Sequence, residues 1–263
     1  MATGTLSTVE RTGARARVAA RTLRRDRWWV SPAVTVAVLL AFIAYATWAA
    51  FVNRDYYVEP YISPFYSPCI AANCTTGGSH LLGGWWKISP ALLILVVPLG
   101  FRATCYYYRK AYYRAFWLSP PACAVAEPHR RYSGETRFPL VFQNVHRYFF
   151  YAGLVLNVIL TWDAFLALRF QGRWGFGLGT LVLFVNATLL WLYSLSCHSC
   201  RHVVGGRLRH FSGHPLRYRA WTLVSRLNAR HMQLAWASLI FVALTDLYVR
   251  LVATGAISDP RLF

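Results

Sequence analysis

The run SLSCHSCRHVVGG, residues 194–206, places Cys197, His198, Cys200 and His202 within six positions at the end of an apolar stretch. Thiolate and imidazole side chains ligate zinc and iron–sulfur centres, and in Rieske-type centres two histidines replace two cysteines on one iron. On a continuous helix Cys197 and Cys200 share one face at i,i+3 spacing, while His198 and His202 share another at i,i+4. A single centre therefore requires the helix to unwind near Ser199, or Cys105 or Cys123 to replace a member of the set.

A second run, RATCYYYRKAYYRAFWLSPP at residues 102–121, mixes Tyr106, Tyr107, Tyr108, Tyr112, Tyr113 and Trp117 with Arg102, Arg109 and Arg114. Large rings with hydroxyl and indole donors can sandwich a flat apolar ring and bond its carbonyl oxygens, a description that fits a quinone. The plainer alternative is an interfacial aromatic belt whose arginines reach lipid phosphate. Arg102 stands a full turn inside the preceding apolar stretch, where a cation is costly, and one i,i+3 step from Cys105. Both details favour a quinone pocket beside the metal site, formed by Arg102, Tyr106, Arg109, Tyr113 and Trp117. His146 and the tyrosines would supply protons to the reduced ring. Asp163 and Asp246 lie within apolar runs, and each is a candidate for proton transfer or, alternatively, for an ion pair with Arg169 or Arg250. Asn157 and Asn186 read as interhelical hydrogen-bond partners.

The elements that hold these residues are membrane spans. Hydrophobic residues make up 56% of the 263 positions and acids number only nine, which excludes an ordinary soluble domain. Five runs approach the roughly 20 residues needed to cross a bilayer as a helix. They cover 32–52, 86–107, 147–168, 178–199 and 231–252, with Trp28, Trp29, Trp85, Trp86 and Trp174 at their ends. The expected fold is all-α, a bundle of five transmembrane helices over residues 31–263. It follows a basic arm, residues 1–30, read as a disordered cytoplasmic tail rather than a transit peptide.

The net charge of +19 is unevenly placed. Seven arginines precede the first span, seven Lys or Arg fall between 109 and 147, and seven arginines fall between 201 and 230. The alternate connections carry far fewer, so the positive-inside rule gives a cytoplasmic N-terminus and an external C-terminus in a cell's inner (plasma) membrane. The basic excess is thus a topology signal, supplemented by anionic lipids as partners. No aromatic-basic recognition module supports nucleic acid.

This topology sorts the cysteines. Cys69 and Cys74 fall in the outer loop and are expected to form a short disulfide. Cys105, Cys123, Cys197 and Cys200 face the reducing side, where metal binding is favoured over disulfides, and seven of the eight histidines fall there too. Two haems stacked across the bilayer would need axial histidines near both faces, and the outer halves of the spans contain none. One haem at the inner side, held for instance by His146 and His231, stays open. So do an iron–sulfur centre, a closed zinc site tying two spans together, and small thiols that merely pack between helices.

RATCYYYRKAYYRAFWLSPPACAVAEP together with SLSCHSCRHVVGG resembles the membrane-anchor subunit of actinobacterial succinate dehydrogenase, a succinate:quinone oxidoreductase. The five spans are similar to the single-chain cytochrome b anchors of that enzyme group, and the resemblance covers most of the chain, spans two to five best. It implies a separate flavoprotein subunit that oxidises succinate and an iron–sulfur subunit that relays electrons to this anchor. Menaquinone would be the acceptor, with haem b the usual cofactor and a higher oligomer possible. The histidines depart from the two-haem pattern, so haem ligands do not carry over. The expected cofactor is instead a Rieske-like [2Fe–2S] centre held by members of the set Cys105, Cys123, Cys197, His198, Cys200 and His202. The chain alone should not oxidise succinate, since it has no flavin-binding glycine fingerprint.

Overall fold

The computed structural model describes residues 24, 26–70, 88–125, 127–128 and 139–263. The chain falls into two compact units, one of residues 1–37 with 110–137 and one of residues 38–109 with 138–263.

The first long helix, α1 (Val30–Val52), is apolar around its whole circumference, the pattern of a segment solvated by lipid. At 1.5 Å per residue its 23 residues reach about 35 Å, enough to cross a hydrocarbon core of about 30 Å. Three further helices meet the same test of length and apolarity: α5 (Pro139–Leu166), α6 (Leu178–Leu195) and α9 (His231–Ala253). The expected second span is broken. It consists of α2 (Ala91–Ile94) and α3 (Val96–Ala103), followed after a 77° bend by α4 (Tyr106–Ala115). With the bent pair taken as one span, the described residues hold five.

At the end of α3 the Thr104 hydroxyl donates back to Gly100 O at 2.7 Å, and at the end of α6 the Ser196 hydroxyl donates to Tyr193 O at 2.9 Å. Thr161, Thr188 and Thr245 make the same kind of bond inside unbroken helices, so the back-bond accompanies the two breaks and does not by itself produce them. Cys197 then turns extended (φ −69°, ψ 148°) and caps a new helix, α7 (His198–Gly205). The expected fourth span, 178–199, thus ends at Leu195, and the unwinding near Ser199 falls instead at Ser196 and Cys197. Helix α8 (Pro215–Asn228) follows, and its Arg217 bonds the carbonyls of Val203, Val204 and Gly206 at the C-terminal end of α7.

Within the second unit α6 packs between α5 and α9, and α3 packs on α5. Two short hairpins join spans. The first, β1 (Tyr57–Val58) with β2 (Tyr61–Ile62), is antiparallel, as is the second, β3 (Arg169–Phe170) with β4 (Arg173–Trp174). The latter turns through Gln171 and Gly172, both at positive φ. At the same end of the bundle Asp259 accepts from Tyr61 Oη (2.6 Å), Tyr248 Oη (2.6 Å) and the amide of Gly179 (2.8 Å). This clasp fastens the C-terminal segment over the start of α6, where a carboxylate is favoured by the helix dipole.

Asp246 is fully buried in α9 and accepts from Tyr45 Oη at 2.5 Å, from Ser63 Oγ, and from Arg250 Nε at 2.8 Å. Arg250 also donates to Arg54 O and Ala49 O. Of the two ion pairs expected, Asp246 with Arg250 forms. Asp163 accepts from the Ser67 hydroxyl, while Arg169 lies over the Trp174 ring. Asn157 bonds Leu190 O and Ser194 Oγ across to α6, the interhelical role expected of it. Cys69 is disulfide-bonded, and Cys74 lies outside the described residues, as do Trp85, Trp86, His80 and His129.

Candidate functional site

The two broken spans end in matching dipeptides, Thr104–Cys105 and Ser196–Cys197. Two unbroken spans, α5 and α9, bring His146 and His231 to the same depth from the opposite chain direction. The six residues then interlock. Thr104 Oγ1 lies 2.9 Å from His146 Nδ1, and His146 Nε2 lies 3.0 Å from Cys197 Sγ. Ser196 Oγ lies 2.7 Å from His231 Nδ1, and His231 Nε2 lies 3.5 Å from Cys105 Sγ. Each hydroxyl–thiol dipeptide thus grips one imidazole by its hydroxyl and meets the other by its sulfur.

All of these side chains are buried. Aromatic rings fix the imidazoles from the side: Phe101 stacks on His146 with centroids 4.8 Å apart, and Tyr193 stacks on His231 at 5.2 Å. Both thiols sit at helix starts, Cys105 immediately before α4 and Cys197 as the cap of α7, where its sulfur accepts the Ser199 amide. Exposed amides and the helix dipole favour negative charge at such positions.

Cys105, His146, Cys197 and His231 line one cavity of about 660 Å³, together with Tyr106, Arg109, Arg147, His198 and His202. A second, smaller cavity is largely apolar and includes Ser67, Phe101, Arg102, Asn157, Tyr193 and Ser194 in its wall. The rings that stack on the two imidazoles therefore also face this second cavity. Arg102 is buried, bonds Tyr108 Oη (2.7 Å), Ala235 O (3.2 Å) and Ser238 Oγ (3.1 Å), and lies 4.8 Å from the Tyr193 centroid.

The residues singled out in the sequence separate here. Cys105 and Cys197 line the same cavity. His198 and His202 stand on its wall, and burial lowers the His198 imidazole, with Arg201 adding to the shift. Cys200 is buried in the same cluster as Cys105, Cys197 and Tyr193, beside Phe101, Val224 and Leu239, but is not among the residues that line the cavity. Cys123 belongs to the first unit, where it is an exposed thiol whose carbonyl accepts from Arg24 at 2.8 Å. Of the quinone set, Tyr106, Arg109 and His146 line the larger cavity, Arg102 borders the smaller one, and Tyr113 and Trp117 pack with Tyr112 in the first unit. His146 and His231 are both omitted from the six-member ligand set; in the sequence His146 reads with the quinone residues, and His231 only as an alternative haem ligand with it. The signal for His231 was depth: it opens a span directed oppositely to the one that Cys197 closes.

Among the described residues, no three His, Cys, Asp or Glu side chains converge where a single metal ion could be held. The donors form two thiol–imidazole contacts, His146 with Cys197 and His231 with Cys105.

Apolar spans of membrane-crossing length around this buried ring of thiols, imidazoles and hydroxyls define a polytopic membrane protein with an intramembrane ligand site. Residues 30–255 match the family model described as actinobacterial succinate dehydrogenase subunit SdhC. Among solved structures, a chain of the Mycobacterium smegmatis Sdh1 complex in the apo form is 54% identical with a TM-score of 0.86, and the match covers 95% of this chain and 97% of that one. No curated protein matches. The chain belongs to the actinobacterial succinate dehydrogenase SdhC family. It is a multi-pass plasma-membrane anchor subunit of an oxidoreductase complex, whose other members are the flavoprotein and iron–sulfur subunits.

Proposed function

We propose that this anchor receives electrons from the docked iron–sulfur subunit and delivers them to menaquinone through a Rieske-like [2Fe–2S] centre at its cytoplasmic side. Cys105 and Cys197 would hold one iron, and His146 and His231 the other. The observation that carries this reading is the cross-braced quartet of two thiols and two imidazoles in one cavity. When bound, such a centre carries one electron at a time at a potential raised by its histidines, the chemistry needed between an iron–sulfur donor and a quinone.

The chain's own residues do the rest. Phe101 and Tyr193 stack on the imidazoles and also line the apolar cavity, which puts that cavity on the far side of these two rings. By size a quinone head is suited to the cavity of about 660 Å³, whose wall includes Tyr106, Arg109 and His146, and not to the apolar one of about 60 Å³ that Arg102 borders. Asp246 is committed to Arg250, which leaves Asp163 as the carboxylate for proton delivery, with Ser67 joining it to the apolar cavity. A single haem is less well served, because each imidazole Nε2 faces a thiol, whereas axial ligation would aim both at one iron.

Iron, zinc and acid-labile sulfide are to be counted in the purified complex, and the reduced sample examined by electron paramagnetic resonance. The reading expects iron and sulfide beyond the content of the soluble subunits, with an added rhombic signal that Cys197→Ser removes. Zinc alone would support a structural scaffold, and sharp α and Soret bands would support haem.

A further inference from the structure

We propose that Thr104 and Ser196 are positioning residues that set the tautomer, aim and electron-donating strength of His146 and His231. The inference rests on the cluster reading given above, but it starts from hydrogen-bond arithmetic. A hydroxyl has one hydrogen to give and two lone pairs to accept with. The Thr104 hydrogen is committed to Gly100 O at 2.7 Å, and the Ser196 hydrogen to Tyr193 O at 2.9 Å. Toward the imidazoles, at 2.9 and 2.7 Å, both oxygens must therefore accept. His146 and His231 must then each carry their hydrogen on Nδ1, which leaves Nε2 with a free lone pair. In both cases Nε2 is the nitrogen that faces a thiol.

The same device occurs twice, on unrelated stretches of chain, and each time the hydroxyl directly precedes the cysteine. At each helix end the bond to the carbonyl uses up the hydroxyl's hydrogen. The cysteine that follows lies buried against one imidazole, and the spent hydroxyl holds the other. Thr104 and Ser196 are themselves buried, so no bulk water competes for Nδ1. A hydrogen bond accepted from the far side of a ligating imidazole raises its basicity and holds the ring in place, and losing such a partner costs about 10–100-fold in metal affinity.

The test uses the intact complex carrying Thr104→Val or Ser196→Ala, each with its hydroxyl-retaining counterpart, Thr104→Ser or Ser196→Thr. Readouts are iron retained against a chelator, the equilibrium midpoint potential of the added signal, and the nitrogen couplings seen by pulsed electron paramagnetic resonance. The valine and alanine variants are expected to lose iron at about 10–100-fold lower chelator concentration. Their midpoints should be more positive, with one nitrogen coupling altered in each, and the hydroxyl-retaining variants should return all three readouts to wild type. If a variant does not assemble, the remote nitrogen of each imidazole is read in the wild type, where its quadrupole coupling must be that of a hydrogen-bonded N–H. Wild-type values in Thr104→Val and Ser196→Ala, or a free N–H at the remote nitrogen, overturn this inference while leaving the cluster in place. A wild-type complex with no nitrogen-coupled iron signal removes the cluster reading, and this inference with it.

Discussion

Replacing Asp246 by Asn removes the one carboxylate that two hydroxyls and a buried guanidinium share. Tyr45 and Ser63 each lose a charged acceptor, and Arg250, only 4% exposed, keeps just the carbonyls of Arg54 and Ala49. Two scales bear on the cost. Side-chain hydrogen bonds between membrane helices average about 0.6 kcal/mol and reach about 1.7. Breaking a buried ion pair by removing one partner costs about 3–5 kcal/mol, because the other charge stays behind uncompensated. At Asp246 the second effect dominates, since the side chains of both partners are almost wholly buried, 0% exposed for Asp246 and 5% for Arg250. The expected loss is therefore about 3–5 kcal/mol, measured by denaturant titration of the purified complex. Adding Arg250→Met should recover most of it in a double-mutant cycle. Quinone-linked turnover per folded complex should be unchanged across pH. An Asp246→Asn complex of wild-type stability that turns over slowly, with a shifted pH profile, would refute the structural assignment and restore Asp246 as a proton carrier.

Cys200→Ser should keep the added paramagnetic signal and cost about 1–2 kcal/mol for an ill-matched hydroxyl in the apolar cluster, whereas Cys197→Ser should lose the signal; spectra of the two complexes decide between them. Gly179→Ala would set a Cβ 2.5 Å from the Tyr61 ring, itself tied to Asp259. It should destabilise the anchor by about 1–3 kcal/mol in the same denaturant assay, with the spectrum of the distant thiol–imidazole site untouched.

The spans were legible because lipid asks for one simple pattern, long apolar runs, and α9 agrees with its expected bounds to within a residue. The breaks were less so, since the same hydroxyl back-bond occurs inside unbroken helices; an unwinding near Ser199 was one option the ligand spacing left open, and it falls at Ser196 and Cys197. Read as an unbroken helix, the CHSCRH run put His198 and His202 on a different face from Cys197, and only an unwound helix kept them together as ligands. Once α6 ends at Leu195, those two histidines become part of a separate short helix. His146 and His231 were visible as an inner pair, and were weighed there as haem ligands. That they meet Cys197 and Cys105 is a tertiary fact, set by how α5 and α9 flank the broken spans. The charge alternation, by contrast, speaks to which side faces the cytoplasm, a matter that no contact within the chain addresses.

The most direct measurement is a count of the nitrogens coupled to the reduced added centre, made by pulsed resonance on complex grown with histidine labelled by the heavy nitrogen isotope. The account predicts two strongly coupled histidine nitrogens in the wild type, one of which is missing or replaced in His146→Cys and the other in His231→Cys. A centre with no histidine coupling, or one whose two couplings survive both substitutions, would contradict it.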